Sequence, residues 1–226
     1  MIGVGVIQKR SIKLQLDLDM NWYSKGYCII DNFLPVDTAT NILNTFKTED
    51  NWFRVDQKRL HYKSGGAFEM QSDVFPSSTE EYSQTSWRAK ELEQSTIWKE
   101  IVTINFLNAI ELYFNRKVVN DNTYIIKCRQ KDYSRMHTDD LRGDVNRVDI
   151  GLLYYVCDQW KWDWGGLLLM GKSISDESME AILPKHNRLI IINNQKRCPH
   201  CITPVTDYAR SDRYTVASFI GCDKLI

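Results

Sequence analysis

Four histidines stand in the chain, at positions 61, 137, 186 and 200, and two of them sit where chemistry is expected. In KDYSRMHTDDLRGD, His137 and Asp139 are two residues apart. Side chains at i and i+2 on a strand end leave the same side of a sheet, so an imidazole and a carboxylate can converge on one metal. His200, at the head of HCITPV, offers a second imidazole. Two neutral imidazoles and one carboxylate form the facial triad that suits Fe(II), with open positions for a chelating cosubstrate and O₂. Zinc hydrolases use similar ligands, but no helical H-E-x-x-H is present. A single His-x-Asp also arises readily by chance. The bland alternatives are a surface-turn histidine at 137 and a satisfied strand-end histidine at 200. Asp140 suits a solvated or supporting carboxylate better than a ligand, and His61 and His186 read as structural or surface residues.

The segment that follows, HCITPVTDYARSDRYTVASF, reads as an apolar strand, a polar turn and a second strand. Arg213 and Thr215 share one face of that second strand. A guanidinium fork beside a hydroxyl suits a buried carboxylate, held bidentately. Arg210 competes for the role but is followed by Ser211 and Asp212 in what reads as the turn, which favours Arg213.

The elements that must position these groups change in texture near residue 120. Before it, YSKGYCIIDNFLP (23–35) reads as a Gly turn and a short strand stopped by Pro35. Asp37 reads as the N-cap of a helix whose apolar face carries Ala39, Ile42, Leu43 and Phe46. A second helix is expected over about 96–114, with Ile97, Ile101, Ile104, Phe106, Leu107, Ile110 and Leu112 mostly buried. Between them, 55–86 is polar, marked by Gly, Pro and Ser, and reads as a functional loop, with Arg59, Tyr62 and Phe68 suggesting a substrate lid. After residue 120, β-rich runs follow at 123–128, 148–157, 165–170, 188–193, 201–205 and 213–221. That pattern predicts an antiparallel sandwich or small barrel preceded by two buttressing helices.

From Tyr23 to Gly221 the ordered motifs resemble the 2-oxoglutarate/Fe(II)-dependent dioxygenase superfamily, of the prolyl 4-hydroxylase-like kind. They are GYCIIDNFLP, KDYSRMHTDD, GLLYYVCDQWKWDWGGLLLM, PKHNRLIIIN and HCITPV…RYTVASF. The resemblance implies a mainly β fold, with N-terminal helices (about 20–116) and a double-stranded β-helix core (jelly-roll, cupin-like; about 120–222), in one domain spanning 1–226. It implies Fe(II) held by His137, Asp139 and His200, and 2-oxoglutarate and O₂ as cosubstrates, with ascorbate as an auxiliary reductant. It also implies Arg213 on the distal carboxylate of 2-oxoglutarate, aided by Thr215 and by a Tyr of the preceding strand that maps to Tyr154. The implied reaction is C–H hydroxylation of a peptidyl or small, amino-acid-like substrate. The sequence departs from the family at Cys128 and Lys131, where a Tyr and a Gly are usual, and in a longer turn before Arg213.

Lys plus Arg and Asp plus Glu are both 29. Without net positive charge, nucleic acid is not expected as a partner. No apolar run approaches the roughly 20 residues of a membrane span, and no signal-peptide core is evident, so a cytoplasmic location is expected. The six cysteines therefore read as reduced thiols. Cys198-Pro199-His200-Cys201 spells the C-x-x-C of a thiol oxidoreductase, yet ITPV follows where a helix should open. A non-catalytic jelly-roll binding module is the other alternative. Trp160, Trp162 and Trp164 would share one side if extended, as packing or as a substrate platform.

Overall fold

The strand Arg213–Cys222 is the hub of the sheet. The computed structural model describes residues 24–57, 84–95, 105–139, 148–172, 178–196 and 198–223. Within them, eleven strands form one curled antiparallel sheet: β1 (Tyr27–Asp31), β2 (Phe53–Gln57), β3 (Gln84–Arg88), β4 (Val118–Cys128), β5 (Ser134–His137), β6 (Ile150–Tyr155), β7 (Leu168–Met170), β8 (Glu180–Ile182), β9 (Arg188–Asn193), β10 (His200–Ile202) and β11 (Arg213–Cys222). The order is β1-β9-β6-β11-β4-β3-β5-β10-β7-β8, with β2 paired to β3. Strand β3 makes the bend, because it pairs with β4 at Trp87↔Lys127 and with β5 at Gln84↔Ser134. This is the double-stranded β-helix expected of the core, with helices preceding most of it.

Period-2 alternation divides the side chains between two packed regions. Tyr214, Val216 and Ile220 of β11, Leu152 and Tyr154 of β6, and Leu189 and Ile191 of β9 meet helix α1 (Val36–Thr48) through Ala39, Ile42, Leu43 and Phe46. Each large apolar side chain so buried contributes about 1.5–3 kcal/mol. The other face turns inward, where Tyr155, Cys128, Leu168, Met170, Ile190 and Ile192 pack.

Three local readings are corrected. Helix α1 starts at Val36 with Pro35 in the capping position, so Asp37 lies in the first turn, where its charge suits the helix N-terminus rather than capping it. Residues 53–57 and 84–88 pair as a hairpin along their whole length, so both ends of the expected 55–86 loop are strand. Its centre, with Arg59, Tyr62 and Phe68, lies outside the described residues. Helix α2 (Lys90–Gln94) is short, and helix α3 (Asn105–Phe114) buries Ile110 but leaves Leu112 68% exposed. Position 112 falls two residues from 110, on the far side of a 3.6-residue turn. Ile97, Ile101, Ile104 and the Phe106 side chain lie outside the described residues. No described helix is long and apolar enough to cross a membrane.

Candidate metal centre

Strands β5 and β10 pair antiparallel with His137 directly opposite His200, which sets their ring centroids 4.3 Å apart. Asp139 follows two residues beyond His137. Its Oδ1 stands 3.5 Å from His137 Nε2 and its Oδ2 3.3 Å from His200 Nε2. Ligand atoms of all three residues lie within 4.8 Å of one another. Each imidazole has its Nδ1 on a backbone carbonyl: His137 on Arg135 O at 2.6 Å, and His200 on Cys198 O at 3.0 Å. With Nδ1–H donating outward, each Nε2 keeps its lone pair for the space around Asp139, the tautomer a metal ligand needs. The donor set of two nitrogens and one carboxylate fits a ferrous ion. The triad lines one part of a cavity of about 300 Å³, whose apolar walls are Ile126, Leu153, Leu168, Ile202, Ala217 and Phe219.

Deeper on the same inward face sits Arg213, fully buried. Its Nε donates to Gly166 O (2.8 Å) and its Nη1 to Thr215 Oγ1 (2.8 Å), as the i, i+2 spacing predicts. It forms no ion pair among the described residues. Burial pushes the neighbouring Tyr155 hydroxyl up to about 12 and the thiols of Cys128 and Cys157 to about 11 and about 12, so all three stay neutral beside it. Two buried atoms here lack hydrogen-bond partners, Arg213 Nη2 and Tyr155 Oη. A carboxylate between them would satisfy both, and a buried guanidinium without a counter-ion is costly enough that an anionic ligand is the expected partner. Arg210, the competitor, is exposed on the turn.

The Gly165-Gly166 turn makes this approach feasible. Both residues have positive φ, and a Cβ on Gly165 would stand 2.0 Å from Pro204 O. Trp160 steadies the turn through Nε1–H donation to Gly165 O at 2.9 Å.

Tyr154 is placed elsewhere, a correction to the sequence reading. Its hydroxyl donates to Asn187 Oδ1 (3.0 Å), and its ring meets Phe33 edge-on at 5.7 Å in the helix-facing core. The residue opposite Thr215 in the register is Tyr155, whose ring centroid lies 4.8 Å from the Arg213 guanidinium. The sequence reading missed it, because only the pairing of β6 with β11 tells which of the two adjacent tyrosines shares the face of Arg213 and Thr215.

Nor do the three tryptophans form a platform. Trp162–Trp164 is a tight 3-10 turn rather than extended chain, so Trp160 and Trp164 are buried in a T-shaped contact at 5.3 Å while Trp162 is 60% exposed. His186 is half-buried in a turn, outside the site, and His61 and Asp140 lie outside the described residues. Cys198 and Cys201 are free thiols, the first just before strand β10 and the second within it, where a redox motif would open a helix. Burial pushes Cys198 up to about 11, the reverse of what a redox nucleophile requires.

Residues 123–221 match the family model of the 2OG-Fe(II) oxygenase superfamily. Among solved structures, a Trichoplax adhaerens prolyl hydroxylase in complex with a hypoxia inducible factor oxygen degradation domain peptide fragment is 17% identical, with TM-score 0.62 over 95% of this chain and 90% of that one. A Pseudomonas putida prolyl-4-hydroxylase is 13% identical, with TM-score 0.64 over 94% of this chain and 100% of that one. A Phytophthora capsici prolyl 4-hydroxylase is 13% identical, with TM-score 0.58 over 100% and 68%. No curated protein sequence matches the chain. The resemblance read from the sequence is borne out: the chain is 2-oxoglutarate/Fe(II)-oxygenase-like. Its fold is similar to that of the prolyl 4-hydroxylases.

Proposed function

We propose that the protein is an Fe(II)- and 2-oxoglutarate-dependent dioxygenase that hydroxylates a C–H bond, with His137, Asp139 and His200 as the metal ligands. One observation carries the reading. A triad of suitable donors opens on a cavity lined by Ala217 and Phe219 of β11, and on the same face of that strand lies a fully buried arginine, Arg213, with no carboxylate partner among the described residues. When bound, the ferrous ion with 2-oxoglutarate and O₂ supplies the oxidation that converts R–H to R–OH as the cosubstrate becomes succinate and CO₂.

The chain's own residues bind and orient. Arg213 Nη2 and Tyr155 Oη hold the cosubstrate's distal carboxylate, and Thr215 and Gly166 fix the guanidinium. Arg135 O and Cys198 O fix the two imidazoles. The apolar wall formed by Leu153, Leu168, Ala217 and Phe219 limits water around the reacting atoms. A peptidyl substrate, prolyl above all, is supported by the peptide complex of the Trichoplax relative, and a free amino-acid-like substrate is the second candidate.

Anaerobic titration of the full chain with Fe(II) and 2-oxoglutarate tests the reading. A visible metal-to-ligand charge-transfer band should appear, disappear in His137→Ala, and be followed by succinate release in air. Proline-containing peptides should then stimulate succinate release more than free proline. A chain that shows neither band nor turnover is a binding module, and the proposal fails.

A further inference from the structure

A second cleft, of about 590 Å³, lies on the reverse side of the sheet from the triad. Alternation keeps the two apart. On β3, Gln84 and Arg88 line the triad's cavity, whereas Trp87 lines the second cleft. Its other walls are Arg54 of β2, Arg129 after β4, and Arg210 and Ser211 of the turn before Arg213.

Donors outnumber acceptors here. Arg54 commits Nε to Asp56 and Nη1 to Asp132, both at 2.6 Å, and its Nη2 is left over among the described residues. Asp132 is filled from its other side by the Arg129 backbone N–H at 2.8 Å. Asp212 Oδ2 is shared by Arg129 Nε at 3.5 Å and Lys127 Nζ at 3.9 Å, with Tyr214 Oη also at 3.5 Å. Arg210 has no ion pair among the described residues. Two further donors in lining residues, Trp87 Nε1 and Ser211 Oγ, are buried without hydrogen-bond partners. Among the lining residues, three cations (Arg54, Arg129, Arg210) face one carboxylate, Asp212.

We propose that this cleft binds a phosphate-type oxyanion, free or carried as a small-molecule monoester. An acceptor-only ligand is what a surplus of N–H and O–H donors selects, and guanidinium groups bind such oxyanions with charge-assisted, bidentate geometry. A tetrahedral anion has enough oxygens to serve Arg129, Arg210 and Arg54 together, which one carboxylate does not. The Trp87 ring already carries the Arg54 and Arg129 guanidinium groups, at 5.5 and 4.8 Å from its centroid, so it is not a stacking platform for a base.

Calorimetry and ³¹P NMR of the full chain, with inorganic phosphate and separately with glycerol phosphate at constant ionic strength, test the site. Saturable one-to-one binding is expected, weakened about tenfold or more by Arg210→Ala and by Arg129→Ala, while the Fe(II)/2-oxoglutarate band of both variants is retained. Binding of both probes marks a monoester as an acceptable source, and binding of inorganic phosphate alone marks the free ion. Absence of saturable binding by either probe overturns the proposal. So does binding that neither variant weakens, which would mean adventitious contact elsewhere on the surface.

Discussion

Arg213 and Tyr155 meet diagonally across the β11–β6 pair, with the guanidinium 4.8 Å from the centroid of the phenol ring and one unpartnered polar atom on each. Tyr154, one residue earlier, points into the opposite core and is tied to Asn187. The two tyrosines should therefore respond differently to loss of the hydroxyl.

Tyr155→Phe removes one donor to a carboxylate and should weaken 2-oxoglutarate binding by about 1.5–3 kcal/mol, roughly 10- to 100-fold, with Fe(II) affinity unchanged. Tyr154→Phe should cost about 1 kcal/mol of stability and leave cosubstrate affinity alone. Titrating the charge-transfer band against 2-oxoglutarate, alongside urea unfolding, separates them. The reverse pattern would remove Tyr155 from the site.

The glycine pair makes a second contrast. At Gly165 an added Cβ meets backbone, Pro204 O at 2.0 Å, so Gly165→Ala should destabilise the fold by about 2–4 kcal/mol through clash and positive φ. At Gly166 the Cβ meets Arg213 Cδ at 3.0 Å and the Trp160 ring at 3.2 Å. Gly166→Ala should therefore displace the guanidinium, raising the KM for 2-oxoglutarate several-fold with a smaller stability loss of about 1 kcal/mol. Thermal unfolding and succinate assays on both variants check the split. A Gly166→Ala enzyme with unchanged KM would detach the turn from cosubstrate binding.

What was legible in the sequence was what local pattern determines. The run RLIIIN became β9 from Arg188 to Asn193 without a residue's error, because continuous β-branched residues between turn signals have few alternatives. The spacing of Arg213 and Thr215 carried over directly, since period 2 places both on one face of β11, whereas Asp139 reaches the space beside His137 from just beyond the end of β5. Tyr154 and Tyr155 were not separable in the same way. Adjacent identical residues in a strand buried on both faces give no polar side to orient by, and only the pairing with Thr215 decides. The β2–β3 hairpin escaped notice because its strands join residues some thirty apart through a polar sequence. The Trp162–Trp164 turn overrode the alternation that an extended chain would have shown.

Lys127 supplies the pH prediction. Its ammonium lies 4.3 Å from the Trp52 centroid and 5.9 Å from that of Trp87, with Asp212 Oδ2 at 3.9 Å. Burial, then the charge of Arg129, pull its pKa from 10.5 down to about 8 against the opposing pull of Asp212 and Glu49. Below about 8 both folded and unfolded chains hold the proton, and the fold bears the cost of the buried charge. Between about 8 and 10.5 the unfolded chain binds more protons than the folded one, so this residue's contribution to stability rises with pH. Buried Cys128, Cys157 and Cys198, all pushed up from 9, act oppositely above pH 9, because their protons leave only on unfolding. Their effect is common to the wild type and Lys127→Met and cancels in the difference. Urea midpoints of the two proteins from about pH 7 to about pH 10 should show wild-type stability gaining on that of Lys127→Met as pH rises through the window. Parallel curves would mean that Lys127 titrates alike in the folded and unfolded chains, and that the Trp52 contact leaves its ammonium solvated.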